Sequence, residues 1–313
     1  MFTLLWIPAT VAASFFQVAR NAFQRGLMST TGPWGATLVR FLFGLPFSIL
    51  FTVVAIWLTP GLQPRFTPVF WGAAMTGALA QVLATASLLV AMRRAGFAVG
   101  TALQQSALPL SAVVGLIVFH DNLSGLSWLG VAITTAGLAV LTWPTRQATG
   151  PKPVSGALFG LLSGLFFGFS LNAFRHAGLA LEPNHPAFSA VASVAIVQAV
   201  QAFFLTLYLA VRDREALRAV IIGWRESLAA GLCGAIASSG WFFALALSPA
   251  APVRALGVVE APIAAIAGRR FFRERLNAQQ ILAGTAVLAP ASSPSTSTCR
   301  TSGSASSRPA PAA

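Results

Sequence analysis

Long apolar runs separated by short polar breaks dominate the chain. Breaking it at charges, Pro/Gly clusters and polar stretches leaves ten segments: 3–22, 34–58, 69–91, 97–119, 125–143, 154–175, 187–211, 226–247, 252–271 and 278–290. A helix crossing about 30 Å of hydrocarbon needs roughly 20 mostly apolar residues, and most segments meet that length. They are about twice as long as the alternating strands of a membrane β-barrel. The pattern therefore predicts an all-α integral membrane protein with ten transmembrane helices. The first segment is apolar from Phe2 and has no basic leader, so it reads as a retained helix and not as a signal peptide. The tenth is short. It runs into a Ser/Pro/Ala tail, 291–313, whose composition predicts disorder. A switch of this kind within a helix is also what a reading-frame shift would produce, so an altered C-terminus is a second expectation.

The segments repeat. The triplet Asn-Ala-Phe at 21–23 recurs at 172–174, each time after a Phe-Phe pair (Phe15-Phe16 and Phe166-Phe167). Further on, SALPLSAVVG (106–115) aligns with VEAPIAAIAG (259–268), and in the same register Asp121 meets Glu274 and Leu123 meets Leu276. Two separate matches in nearly one register indicate duplication. The first repeat is 1–143, the polar, Pro-rich stretch 144–153 is a linker, and the second repeat is 154–290. Five helices per repeat is an odd number, so the second copy enters the membrane from the opposite side. Inverted repeats of this kind are characteristic of secondary transporters.

Composition changes the picture in one respect. Only 9% of residues are charged, 56% are hydrophobic and the mean hydropathy is +0.75, against about 25% charged in an ordinary globular domain. A net charge of +13 could suggest nucleic acid. The basic residues nevertheless sit in short loops between apolar runs, without the aromatic interleaving of a nucleic-acid surface, and so report orientation. Most lie at odd-numbered loops and helix ends, among them Arg20, Arg25, Arg93, Arg94, Arg212, Arg269 and Arg270. The positive-inside rule then places those loops in the cytoplasm, both termini outside, and the chain as a multi-pass protein of the plasma membrane (a bacterial inner membrane).

The end of each half carries a Pro in its fourth helix, an apolar stretch, an acid with a Leu two positions on, and a Gly-rich last helix. Here these are Pro109, Asp121, Leu123 and Gly130, then Pro262, Glu274, Leu276 and Gly284. Arg40, in LVRFLFGLPF, matches an Arg early in the second helix of the same pattern. In these features the chain resembles the drug/metabolite transporter superfamily, EamA-like branch, over about residues 1–290. The resemblance implies two five-helix repeats and a secondary transporter, commonly an exporter of small metabolites or toxic compounds, working without ATP or any cofactor.

The candidate residues are polar groups inside spans. Glu260, in ALGVVEAPIAAIAG, is the acid placed well within a helix, about 12 Å deep at 1.5 Å per residue. Such an acid is a functional hypothesis by default, and protons are the candidate coupling ion. Pairing with Arg254 is the competing role, though six residues on one helix is a poor geometry for it. In the first half Ala107 holds the matching position. Pro109 and Pro262 mark equivalent kinks, which serve packing or open a site. Gln104 and Gln105 lie one turn before Pro109. Gln17, Gln81, Gln198 and Gln201 either bind solute or hold helices together. Asn21 and Asn172, related by the repeat, are placed near helix ends as gate contacts or caps. Arg40 either snorkels to the interface or contacts solute. Trp241 and its neighbours Phe242 and Phe243 either pack or line a pocket for an apolar or aromatic solute. Gly156, Gly160, Gly164 and Gly168 recur every four residues and give helix 6 a smooth face for close packing; on helix 1 Ala9 and Ala13 match it.

The expected partners are the lipid bilayer, a small-molecule substrate and protons, with no nucleic acid. Two other classes stay open: a passive channel, or an inactive product of the altered C-terminus. A membrane-embedded enzyme is disfavoured. There are seven acidic residues and three His, the His fall at loops, and no metal-ligand spacing or nucleotide-binding loop occurs. No metal site or catalytic residue is expected.

Overall fold

The computed structural model describes residues 4–120, 125, 128–129, 131–133, 135–136 and 152–272. Every element among them is helical. The helices are α1 (Trp6–Leu42), α2 (Leu45–Leu58), α3 (Pro68–Ala95), α4 (Phe97–Gln104), α5 (Ala107–Val118), α6 (Pro153–Leu181), α7 (Pro186–Arg212), α8 (Arg214–Ile222), α9 (Trp224–Leu247), α10 (Ala250–Gly257) and α11 (Glu260–Phe272). The described residues in 125–136 are helical as well. Seven stretches are long and apolar enough to cross a membrane, and side chains such as Ile49, Leu50, Val53, Trp57, Phe203, Phe204 and Val211 are exposed as lipid-facing groups would be. Most of the fifth expected span, the tenth span, the Ser/Pro/Ala tail and the motif residues Asp121, Leu123, Gly130, Glu274, Leu276 and Gly284 lie outside the described residues.

The first membrane-crossing stretch, Trp6–Leu58, has 53 residues. As one straight helix it would be roughly 80 Å long, far more than a bilayer. Gly32 breaks it, with φ 65° and ψ 178°, a conformation that suits a residue without Cβ. Pro33 then starts the next helical piece. The turn is sharp enough for Gln24 Nε2 to donate to the carbonyl of Ala36 at 2.6 Å. In a continuous helix those residues would stand about 18 Å apart. The first helix therefore runs to Thr31, not to residue 22, and this moves Arg20 and Asn21 from its end into its middle.

Two further breaks correspond. α4 gives way to α5 at Gln105-Ser106, and α10 to α11 at Val258-Val259, 153 residues later. At the first, the Ser106 N–H donates to Leu103 O (3.1 Å) and Leu108 N–H to Gln105 O (2.9 Å). At the second, Val259 N–H donates to Leu256 O (3.2 Å) and Ala261 N–H to Val258 O (2.9 Å). These are tight three-residue turns in identical register. Each break begins four residues before Pro109 or Pro262, where a proline ring collides with the helical carbonyl. The prolines thus separate two half-helices instead of bending one helix.

The stretch after α7, expected to be a loop, contains the short helix α8. Asp213 caps it, its carboxylate accepting from Ala216 N–H at 3.0 Å. Ala216 and Val220 are buried with Leu38, Val39 and Phe41 of α1, while Arg214, Glu215 and the other outer-face residues stay exposed. Its polar face carries Arg218 as well, which hid the helix among the loop charges.

The two halves interlock through small residues. α6 lies along α3, α4 and α5, and α1 lies along α9. The glycine face of α6 makes the first contact. A Cβ at Gly168 would meet Ser111 N at 2.9 Å, and one at Gly164 would meet Ala107 N at 3.0 Å and Gln104 O at 3.2 Å. Its partners are therefore the broken α4–α5 backbone and the end of α3. On α1, Ala13 faces Gly240 of α9.

A Cβ at Gly164 would displace the Ser106 hydroxyl and also press on the Ala107 and Gln104 backbone, which yields little. Gly164→Ala is expected to cost about 1–3 kcal/mol, read as a lower melting temperature in detergent, and Gly164→Leu to abolish the folded form. Wild-type melting of both variants would refute this contact.

Candidate functional site

The half-helix breaks place polar groups in the protein interior. Glu260 is the first residue of α11 and is fully buried. Its carboxylate accepts three hydrogen bonds: from Gln17 Nε2 of α1 at 2.8 Å, from Gln105 Nε2 at the α4–α5 break at 3.0 Å, and from Arg254 Nη1 of α10 at 3.2 Å. Arg254 Nη2 also donates to Gln105 Oε1 at 2.6 Å, and Trp241 Nε1 of α9 donates to Gln17 Oε1 at 2.9 Å. The Arg254 guanidinium lies over the Trp241 ring, 4.9 Å from its centre. Five side chains from five elements form one closed network.

The expectation that Arg254 is badly placed for Glu260 is corrected here. It assumed one unbroken helix. The Val258-Val259 break reorients α10 against α11, so residues six apart meet as an ion pair. The two breaks differ in their polar groups: Ala107 stands where Glu260 stands, and the polar group of the first break is Gln105, which bonds to Glu260.

Beside the network lies a cavity of about 20 Å3, room for one water. Its lining includes Gln17, Arg40, Gln81, Gln104, Ser238, Trp241 and Arg254, with an apolar side of Phe167, Leu171, Phe174 and Phe242. Arg40 is 2% exposed. It turns inward, donating from Nη1 to Thr85 Oγ1 at 2.9 Å and, at the long distance of 3.4 Å, from Nη2 to Ser238 Oγ. Gln81 accepts from Gln201 Nε2 at 3.0 Å. Gln198 accepts from Ser48 Oγ at 2.7 Å, away from the cavity lining. Gln104 is buried, and neither its amide nitrogen nor its oxygen has a partner.

The two asparagines do not join the cluster. They sit inside helices, not near their ends. Asn21 Oδ1 accepts from Arg20 Nε and Nη2 at 3.2 and 2.6 Å. Asn172 Nδ2 donates to the carbonyls of Ser111 and Gly168, at 2.8 and 2.9 Å, fastening α6 to α5. One contributor was not singled out from sequence. Arg20 was counted with the loop charges but is fully buried beside Arg40, both flanking Gly234. Gln17, already among the polar candidates, lies one turn after Ala13 on the face of α1 that packs on the second half. Among the described residues no three His, Cys, Asp or Glu come together as a metal site.

Comparison with known proteins bears on the fold alone. No family model and no curated protein matches the sequence. Chains of solved structures do: one crystal structure superposes with a TM-score of 0.60 and 17% identity, covering 91% of this chain and 95% of that one. The architecture is thus shared nearly end to end with a protein of very different sequence.

Removing one partner of a buried ion pair strands the other charge, at about 3–5 kcal/mol. Arg254→Met is therefore expected to lower the detergent melting temperature strongly, and Arg254→Met with Glu260→Gln to recover much of it. Additive losses in the double variant would show that the two groups are not coupled.

Proposed function

We propose that the protein is a secondary transporter of a small molecule, built as ten transmembrane helices in two inverted five-helix repeats that alternate access to the central polar cluster. The observation that carries this reading is the matched pair of half-helix breaks, 153 residues apart, with polar side chains gathered between them. Interrupted helices meeting at a repeat interface are where transporters hold solute and coupling ion. Irregular backbone inside a bilayer is tolerated where it is covered by protein or lines a cavity.

The cavity of about 20 Å3 is far below the roughly 300–1,000 Å3 of a ligand pocket. Solute enters when α4–α5 and α10–α11 separate, which suits a carrier that closes between its two open states better than a permanently open channel. The flat glycine face of α6 and the small residues of α1 are the surfaces along which the halves shift. Glu260 is the coupling acid in this scheme. Protonating it removes the counter-charge of Arg254 and loosens the link between α10 and α11, so proton binding and helix movement become one event. The chain works as an exporter in the plasma membrane, without cofactor or enzymatic activity.

Glu260→Gln keeps the side-chain size and removes the titratable charge; because its amide accepts on one oxygen only and leaves Arg254 without its counter-charge, the variant is expected to melt lower than the wild type. In proteoliposomes the wild type is expected to show saturable flux that changes several-fold with an imposed pH gradient, and Glu260→Gln to show flux indifferent to it. A variant with unchanged pH response would overturn the coupling role, and flux that never saturates would overturn the carrier.

A further inference from the structure

Charge inside the cluster does not balance. Three buried guanidinium groups, Arg20, Arg40 and Arg254, share one buried carboxylate among the described residues of the cluster, Glu260. Glu260 is spent on Arg254, with which it forms an ion pair at 3.2 Å. Arg40 has no acidic partner: its hydrogen bonds go to the hydroxyls of Thr85 and Ser238, the second of them at 3.4 Å, and its Nε is unpartnered. Arg20 bonds only to the neutral Asn21, and its Nη1 is unpartnered. Neither arginine touches an acid, and Glu260 acts on Arg20 only from beyond hydrogen-bond reach; burying charge so poorly compensated costs several kcal/mol per ion, so the pair calls for an anion.

The geometry points to a binding site for a small carboxylate that carries no amine, with Arg40 as its principal contact. This rests on the transporter reading above and supplies its substrate class. The Nε–H of Arg40 together with the weakly used Nη2–H forms the planar fork that takes a carboxylate two-handed. Gln104, on the same cavity, is buried with both amide atoms unpartnered and can donate to the same group. Arg20, packed against Gly234 with Arg40, adds positive potential without touching the cavity lining. The rest of the lining includes aromatic and aliphatic groups (Phe167, Leu171, Phe174, Trp241), which fit a ring or short hydrocarbon body. An amino acid is disfavoured because its ammonium would find no free acid: Glu260 already receives three donors, and the unpartnered acceptor on the cavity is the neutral Gln104 Oε1.

The test uses purified full-length protein in detergent and benzoate as probe, with benzamide as its uncharged analogue and phenylalanine as its zwitterionic counterpart. Binding is read as a concentration-dependent rise in melting temperature and confirmed by calorimetry. Benzoate is expected to bind at least tenfold more tightly than benzamide or phenylalanine. Arg40→Lys, which keeps the charge but loses the fork, is expected to weaken benzoate roughly tenfold. Gln104→Ala removes a side chain with no protein partner, so it folds normally and is expected to weaken benzoate without lowering the ligand-free melting temperature. Equal affinity for benzoate and benzamide, or wild-type affinity in both variants, overturns the carboxylate site. Counterflow of labelled benzoate in proteoliposomes separates the two claims. Binding without counterflow refutes transport and leaves the site standing. Saturable flux of a cationic or neutral solute, with no benzoate binding, refutes the site and leaves transport standing.

Discussion

A carboxylate shut away from water must receive its hydrogen bonds from the protein, and here that requirement organises the interior. Glu260 draws one donor from α1, one from the α4–α5 break and one from α10. Two of the three come from the first half of the chain, so the acid is fully satisfied only when both halves are present and in register. Apolar packing in a bilayer gives little reason to prefer one helix arrangement over another, since lipid tails are as apolar as leucine. Directional bonds to a buried charge supply that preference. The loss of a single donor leaves the others less well matched, so the network behaves as a unit.

The breaks in the helices make this network geometrically possible. A continuous helix keeps residues six apart on different faces, whereas a two-residue interruption lets Arg254 and Glu260 face each other. The same interruption on the first half turns Gln105 toward both of them. Proline specifies where the break falls, and glycine on α6 lets the broken backbone come close enough to be covered. The polar cluster, the prolines and the glycine face are therefore parts of one construction.

Much of this was legible in the sequence because it follows from composition and spacing. Long apolar runs gave the helical class, and the aligned SALPLSAVVG and VEAPIAAIAG segments anticipated the matched break positions. Polar residues within apolar runs were few enough that Arg40, Gln81, Gln104, Gln105, Trp241 and Glu260 stood out, and the fold brings them to one region. What could not be read depended on backbone direction. The end of the first helix was set at residue 22 because charged and polar residues follow, and only the turn at Gly32 shows that Arg20 and Asn21 lie in its interior. Arg254 and Glu260 were held apart by an assumed straight helix. The amphipathic α8 was missed because its charges resemble those of a loop.

Along the glycine face of α6 the contact changes character: a Cβ at Gly160 would meet the Leu103 side chain and one at Gly164 the Ser106 hydroxyl, whereas one at Gly168 would meet only main-chain atoms of Ala107, Leu110 and Ser111. Backbone presents nearly the same shape whatever residue carries it. Beside Gly168 the sequence of α5 can therefore drift while the seam between the halves stays intact, whereas Leu103 and Ser106, whose side chains meet the glycine face, are held. Gly168 confines the structural demand to its own side of the contact and leaves the facing residues of α5 free to change.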